Sequence, residues 1–127
     1  MLSQSALDHW YRRALPAYWI FLACATHFPG LKLPGGIPSS DKIAHTVAFA
    51  LLAFLFWRFV ESFRRPVAVG FVWRAGLILA AYAAVDEYTQ RYVGRGVDIV
   101  DWLCGVWGMT VVLAVLEWRR VVAQRAR

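Results

Sequence analysis

The stretch from Ala75 to Val85 reads AGLILAAYAAV, and it decides the fold of this chain. A helix in a water-soluble bundle presents a polar stripe to water at a spacing of about 3.6 residues, and this stretch has none. A helix built from it therefore needs apolar surroundings on every side. Because lipid provides such surroundings, the stretch predicts a transmembrane helix.

The composition of the whole chain favours the same class of protein. Of its 127 residues, 60% are hydrophobic and 17% are charged, whereas soluble proteins usually have about 25% charged residues. This composition excludes a disordered chain. The net charge of +6 does not indicate a nucleic-acid partner, because the basic residues form short clusters between apolar runs instead of one patch.

Three further apolar runs accompany the first one. The uncharged core of the last, from Trp102 to Leu116, spans only about 22 Å as a helix against a hydrocarbon layer of about 30 Å, so core helices of a soluble bundle are the alternative. The missing polar face decides between the two. We predict an all-α, polytopic membrane protein with one domain over residues 1–127, a bundle of four transmembrane helices at about 14–28, 43–60, 67–88 and 99–118.

The basic residues between these helices predict the orientation in the membrane. Four of them, Lys32, Lys42, Arg91 and Arg95, fall on one side. The other ten fall on the opposite side: Arg12, Arg13, Arg58, Arg64, Arg65, Arg74, Arg119, Arg120, Arg125 and Arg127. Because cytoplasmic segments carry the excess of Lys and Arg, both termini are expected in the cytoplasm.

The first candidate motif, Asp41-Lys42-x-x-His45-x-x-x-Phe49, lies at the outer start of the second helix. Asp41 and His45 share one helix face, so the carboxylate can hold the imidazole in one tautomer. Capping of the helix by Asp41 or a preceding serine explains the acid equally well. His45 is a functional candidate, because an ionisable group inside a lipid-facing helix is costly.

The second motif, Asp86-Glu87-x-x-Gln90, lies at the outer end of the third helix. Two adjacent carboxylates are unfavourable at a helix C-terminus, where the macrodipole is negative. A helix end with a purely structural role prefers Lys or Arg. An ion pair between Glu87 and Arg91, four residues later, is the structural alternative.

The third motif, Arg95-Gly-Val-Asp98-x-x-Asp101 followed by Gly105 and Gly108, leads into the fourth helix. Asp98 is placed as its N-cap, and Asp101 three residues later resembles the second member of a capping box. Asp101 also shares a face with the two glycines, where a neighbouring helix can approach closely. Its carboxylate is therefore expected to point into the bundle.

Together, in this order, the three motifs resemble those of the VanZ-like family, named for a teicoplanin-resistance accessory protein. The match covers about two thirds of the chain. It implies a multi-pass protein of the bacterial plasma (inner) membrane that is linked in some members to glycopeptide tolerance. Where the family commonly has Asn four residues after the last Asp, this chain has Gly105.

The arrangement predicts an anion site at the outer interface, where the second and fourth helices both begin. Helix N-termini and fixed cations bind anions, and a phospholipid or polyprenyl-phosphate head group is the anion expected there. We expect an enzyme, a lipid head-group hydrolase or transferase. The expected catalytic residues are Asp41, His45, Glu87 and Asp101, and the expected substrate-binding residues are Lys42, Gln90 and Arg95.

Two other classes stay open. One is a non-catalytic protein that binds a lipid-linked cell-wall precursor, which needs the cations but not a titrating His45. The other is a scaffold whose buried polar groups only join the helices. One His among carboxylates is a weak metal-binding pattern, so no metal ligand is assigned. The sequence identifies no cofactor.

Overall fold

The computed structural model of the chain describes residues 3–28 and 40–126, and these residues form helices and turns without strands. The four α-helices are α1 (Gln4–Thr26), α2 (Ser40–Glu61), α3 (Phe71–Thr89) and α4 (Ile99–Arg125), and a 3-10 turn (Gln90–Val93) follows α3. The predicted all-helical class and the order of four helices are confirmed.

The first helix begins well before the predicted residue 14. Ser3 caps it, since its side-chain oxygen accepts a hydrogen bond from the backbone N–H of Ala6 at 3.2 Å. The prediction followed the apolar run alone, but the helix continues through polar residues that bind other parts of the chain. Arg12, for example, donates from Nε to the hydroxyl of Ser62 at 3.1 Å.

The bounds of the other helices differ less. α3 begins at Phe71 instead of residue 67, because Gly70 adopts a φ of 77° and ends the preceding turn. Val67 packs in the core from that turn. α4 continues past the predicted residue 118 to Arg125.

The helices pack with α2 against α4 as the most extensive contact, while α3 lies on α4 and α1 lies on α2. Gly108 allows this closeness, because a Cβ there would lie 2.2 Å from the backbone oxygen of Thr46. At one end of the bundle, called the site end, lie Thr26, Ser40, Thr89 and Ile99. At the other, called the arginine end, lie Gln4, Glu61, Phe71 and Arg125.

Two of the described helices, α2 and α4, are long and apolar enough to cross a membrane. The face of α4 that points away from the other helices is apolar as well. It carries Leu103, Trp107, Val111 and Val115, all exposed and spaced four residues apart. A soluble helix would place polar residues on this face.

Candidate functional site

Lys42 joins the start of α2 to the start of α4. Its Nζ donates to Oδ2 of Asp98 at 3.3 Å and to Oδ1 of Asp101 at 3.2 Å. The sequence predicted Lys42 as a ligand for an external anion. In the structure, two carboxylates neutralise the ammonium, and these ion pairs connect the starts of the two helices.

His45 lies almost fully buried beside Asp101. Its Nε2 is 4.0 Å from Oδ2 of Asp101, and its ring stacks on Phe49 with 6.1 Å between the ring centroids. Asp101 thus faces Lys42 with one oxygen and His45 with the other. The expectation that Asp101 points into the bundle is confirmed.

The structure does not support the prediction that Asp41 orients His45. Both side chains are described, and no hydrogen bond or ion pair joins them; Asp41 is exposed. The carboxylate near the imidazole instead comes from α4, because the first turn of α4 packs against α2 at this point. Capping of α2 by the serine at position 39 lies outside the described residues.

Glu87 is buried at the end of α3 and holds the start of α4. Its Oε1 accepts a hydrogen bond from the backbone N–H of Asp98 at 2.7 Å, and its Oε2 accepts from Nε2 of Gln90 at 3.2 Å. In a capping box the residue three after the cap makes the first of these bonds. Here Glu87 makes it from another helix, so Asp101 remains available to Lys42 and His45.

Asp98 is the N-cap of α4, as predicted. Its Oδ1 accepts a hydrogen bond from the backbone N–H of Val100 at 2.8 Å. This bond, together with the Lys42 ammonium, holds the pKa of Asp98 below its usual value.

Arg95 binds the end of α1. Its Nη1 donates to the backbone oxygen of Thr26 at 3.2 Å, where the helix C-terminus carries a partial negative charge. Gly94, with a φ of 77°, makes this position possible by ending the 3-10 turn. The N–H of Arg95 then bonds the oxygen of Gln90, as in a Schellman motif. Within the described ranges, Arg95 has no carboxylate partner.

Asp86 is a buried acid that the sequence placed in a motif but not among the site residues. Its Oδ1 accepts a hydrogen bond from the hydroxyl of Thr26 at 2.9 Å and lies 3.8 Å from Nδ1 of His27. His27 also contacts the hydroxyl of Thr89 through Nε2 at 2.8 Å. This network joins α1 to α3. The sequence signal for this network was His27, a second histidine, which lies at the end of the first apolar run.

A cavity of about 290 Å³ lies between α1 and α2 at the site end. Five residues with polar groups, Tyr18, Thr26, Asp41, His45 and Arg95, lie on its wall. The rest of the wall is mainly apolar and includes Phe21, Leu22, Ala25, Ala44, Ala48 and Phe49. We call this space the site cavity.

The structure therefore divides the seven predicted site residues into two groups. Asp41, His45 and Arg95 line the site cavity. The other four, Lys42, Glu87, Gln90 and Asp101, do not line it, and they bind one another or the helix ends. Among the residues that the structure describes, no three His, Cys, Asp or Glu side chains are grouped to hold a metal ion.

Comparisons with family models, with curated proteins and with solved structures give no match to this chain. The function of the chain is therefore inferred from the geometry of its site. That geometry combines an arginine without a carboxylate partner, a buried histidine beside an aspartate and an apolar cavity.

Proposed function

We propose that this chain is a VanZ-like protein of the bacterial inner membrane, with four membrane-crossing helices and both termini in the cytoplasm. The length and apolar character of α2 and α4 support membrane insertion, and so does the exposed apolar face of α4. The excess of arginine at the arginine end supports a cytoplasmic location for that end. The site end then faces outward.

In this proposal the protein binds an anionic membrane lipid in the site cavity. The observation that carries the proposal is the shape of its wall, with Arg95 and His45 beside a mainly apolar surface formed by α1 and α2. A lipid phosphate suits the guanidinium of Arg95, and an acyl or prenyl chain suits the apolar wall. Phospholipids and polyprenyl-phosphate-linked cell-wall precursors both have this chemistry, and binding of the latter would account for a link to glycopeptide tolerance.

The second part of the proposal is catalysis on the bound head group. His45 is the general acid or base, and Asp101 holds the imidazolium form when it arises. This assignment supports a head-group hydrolase or transferase. Glu87 takes no part in the reaction here, because both of its oxygens accept hydrogen bonds inside the bundle.

A non-catalytic binding or scaffold protein is the second candidate, and one observation favours it. Glu87, Gln90 and Asp98 satisfy one another's hydrogen bonds and hold the helix ends together. This half of the predicted site thus has a structural explanation. The scaffold alternative extends that explanation to His45 and Asp101.

Native mass spectrometry of the purified protein with added anionic lipid tests the binding step. We expect Arg95→Gln to retain less phosphatidylglycerol or undecaprenyl phosphate than wild type, because the amide keeps a donor for the Thr26 oxygen but loses the charge. Arg91→Gln is the matched control. Arg91 is only four residues away, but its guanidinium lies over the rings of Tyr88 and Tyr92.

Equal losses from Arg95→Gln and Arg91→Gln would mean that diffuse charge attracts the lipid, and the site cavity would then not be the binding site. A wild-type protein that retains phosphatidylcholine as well as it retains the anionic lipids would also contradict the proposal. Retention of one anionic lipid and not the other would identify the head group.

A further inference from the structure

A second cavity, of about 390 Å³, lies at the arginine end of the bundle. We call it the arginine cavity, after the four arginines on its wall: Arg58, Arg65, Arg119 and Arg120. Among the described residues, Glu61 is the one carboxylate residue on this wall, and Trp57, Pro66, Val67, Leu116 and Ala123 are its apolar residues. The cavity shares no lining residue with the site cavity.

Three of these arginines, Arg58, Arg65 and Arg120, have a carboxylate partner within the bundle. Arg65 forms an ion pair with Asp8. Arg120 donates to both oxygens of Glu117, from Nη2 at 2.5 Å and from Nε at 2.7 Å. Arg65 and Arg120 therefore shape the cavity but add little unpaired positive charge to it.

Arg58 and Arg119 keep hydrogen-bond donors without an acceptor among the described residues. Arg58 donates from Nη1 to Glu61 at 2.6 Å, but its Nε is buried and reaches no acceptor in the described part of the chain. Arg119 forms no ion pair with another described residue. A guanidinium has five N–H groups, and a phosphate offers several oxygens to them.

The surrounding charge favours an anion as well. Within residues 3–28 and 40–126, the arginine end carries only three carboxylates, those of Asp8, Glu61 and Glu117. It carries nine arginines, Arg12, Arg13, Arg58, Arg64, Arg65, Arg74, Arg119, Arg120 and Arg125. The positive-inside rule accounts for arginines at this end in general, but it does not require a cavity with four arginines on its wall.

From these observations we infer that the arginine cavity binds a phosphate group, held by Arg58 and Arg119. The apolar wall formed by Trp57, Val67 and Leu116 suits the glycerol and acyl parts of a phospholipid. The ligand class is therefore an anionic phospholipid or a smaller phosphate compound. This site is separate from the proposed function, and it lies at the opposite end of the bundle.

The test compares Arg119→Gln with Arg125→Gln by native mass spectrometry in phosphatidylglycerol. Both arginines are exposed on α4 and both changes remove one charge, but only Arg119 lines the arginine cavity. We expect Arg119→Gln to bind phosphatidylglycerol about fivefold more weakly than wild type, the effect of one basic residue at an anionic head group. Arg125→Gln should bind it like wild type.

Two further variants complete the design. Arg58→Gln should weaken binding as well, and since Arg58 is half-buried, a loss of folding there leaves Arg119→Gln as the decisive variant. Combining Arg119→Gln with Arg95→Gln should remove a second bound lipid, which separates the two sites. If Arg95→Gln changes nothing while Arg119→Gln does, the proposed function fails and the arginine cavity stands.

A parallel titration with inorganic phosphate distinguishes the two sources of the ligand. Phosphate that binds wild type but not Arg119→Gln, without lipid, identifies a small phosphate compound; binding of phosphatidylglycerol alone identifies a lipid head group. Equal weakening by Arg119→Gln and Arg125→Gln would overturn the inference. So would a wild-type protein that binds neither ligand in preference to phosphatidylcholine.

Discussion

Glu87 and Asp98 are joined by a hydrogen bond of 2.7 Å from the backbone N–H of Asp98 to Oε1 of Glu87. The acid at the end of α3 thus satisfies a backbone donor at the start of α4. Its location at a negative helix terminus, unfavourable in isolation, is explained by this contact. Because Glu87 makes this bond, Asp101 does not make it. The carboxylate of Asp101 lies near His45 instead.

Removing the Glu87 side chain should destabilise the bundle. A hydrogen bond to a charged group contributes about 1.5–3 kcal/mol, so we expect Glu87→Ala to lower the free energy of unfolding by that amount. Glu87→Gln keeps an oxygen for the Asp98 N–H and should lose less. Thermal unfolding of the purified proteins in detergent ranks the stabilities of wild type, Glu87→Gln and Glu87→Ala.

Asp41→Ala is the control for this series, because Asp41 is an exposed acid at the same end of the bundle. We expect it to cost less than about 1 kcal/mol, the size of a favourable charge near a helix N-terminus. A Glu87→Ala protein as stable as wild type would show that the contact with Asp98 does not hold the two helices.

Alanine substitutions at three glycines should separate backbone contacts from side-chain contacts. At Gly108 the new Cβ would meet the Thr46 backbone oxygen at 2.2 Å, so α2 and α4 must move apart. At Gly105 it would meet the ring of Phe49 at 3.0 Å, and at Gly76 the nearest atom is Leu113 Cδ1 at 3.9 Å. Overpacking costs about 1–3 kcal/mol.

We therefore expect Gly108→Ala to destabilise the protein by the upper limit of that range or more. Gly105→Ala should destabilise it less, because the Phe49 side chain can shift. Gly76→Ala should leave the stability unchanged. Melting temperature and monodispersity in detergent measure all three. A neutral Gly108→Ala would contradict the close packing of α2 on α4.

Gly105 leaves room for the aromatic ring of Phe49 beside α4. The Phe49 ring occupies the space where a larger side chain at this position would begin. An Asn there would require Phe49 to move, and Phe49 carries the stacked ring of His45. In this chain the space is filled by an aromatic contact.

The sequence predicted what depends on local pattern. Helix number and order followed from apolar runs, and the Asp98 cap followed from its position before α4. The start of α1 was missed because its first turns are polar, and hydropathy alone does not locate such a start.

Contacts between helices could not be predicted in the same way. Asp41 is four residues from His45, and helical periodicity therefore paired them, but the nearby carboxylate comes from Asp101, far along the chain. Likewise the sequence predicts an external anion as the partner of Lys42, because its two carboxylate partners come from the start of α4, far along the chain. The packing of the helices determines which side chains meet across them. The spacing of residues within one helix does not predict those contacts.

The orientation in the membrane can be tested with single cysteines. Arg64 and Gly96 are both exposed, and they lie at opposite ends of the bundle. In a protein without Cys24 and Cys104, we expect Arg64→Cys to react with an impermeant thiol reagent only after cell lysis, and Gly96→Cys to react in intact cells. Reaction of both in intact cells would exclude the proposed crossing by four helices.

The last prediction concerns His45 and the carboxylate that acts on it. If the proposed reaction occurs, loss of the general acid or base costs about 10²–10⁴-fold in rate, so His45→Gln should reduce head-group turnover by that factor. Asp101→Asn should approach this loss, because Asp101 holds the imidazolium, and Asp41→Asn should cost much less, because no hydrogen bond joins it to His45. The assay is turnover of envelope lipids by purified, monodisperse protein. If Asp41→Asn lost as much as Asp101→Asn, the assignment of Asp101 as the carboxylate that acts on His45 would be contradicted. If wild type turned over no lipid and a well-folded His45→Gln protein kept its lipid binding, catalysis would be excluded and the binding or scaffold alternative would remain.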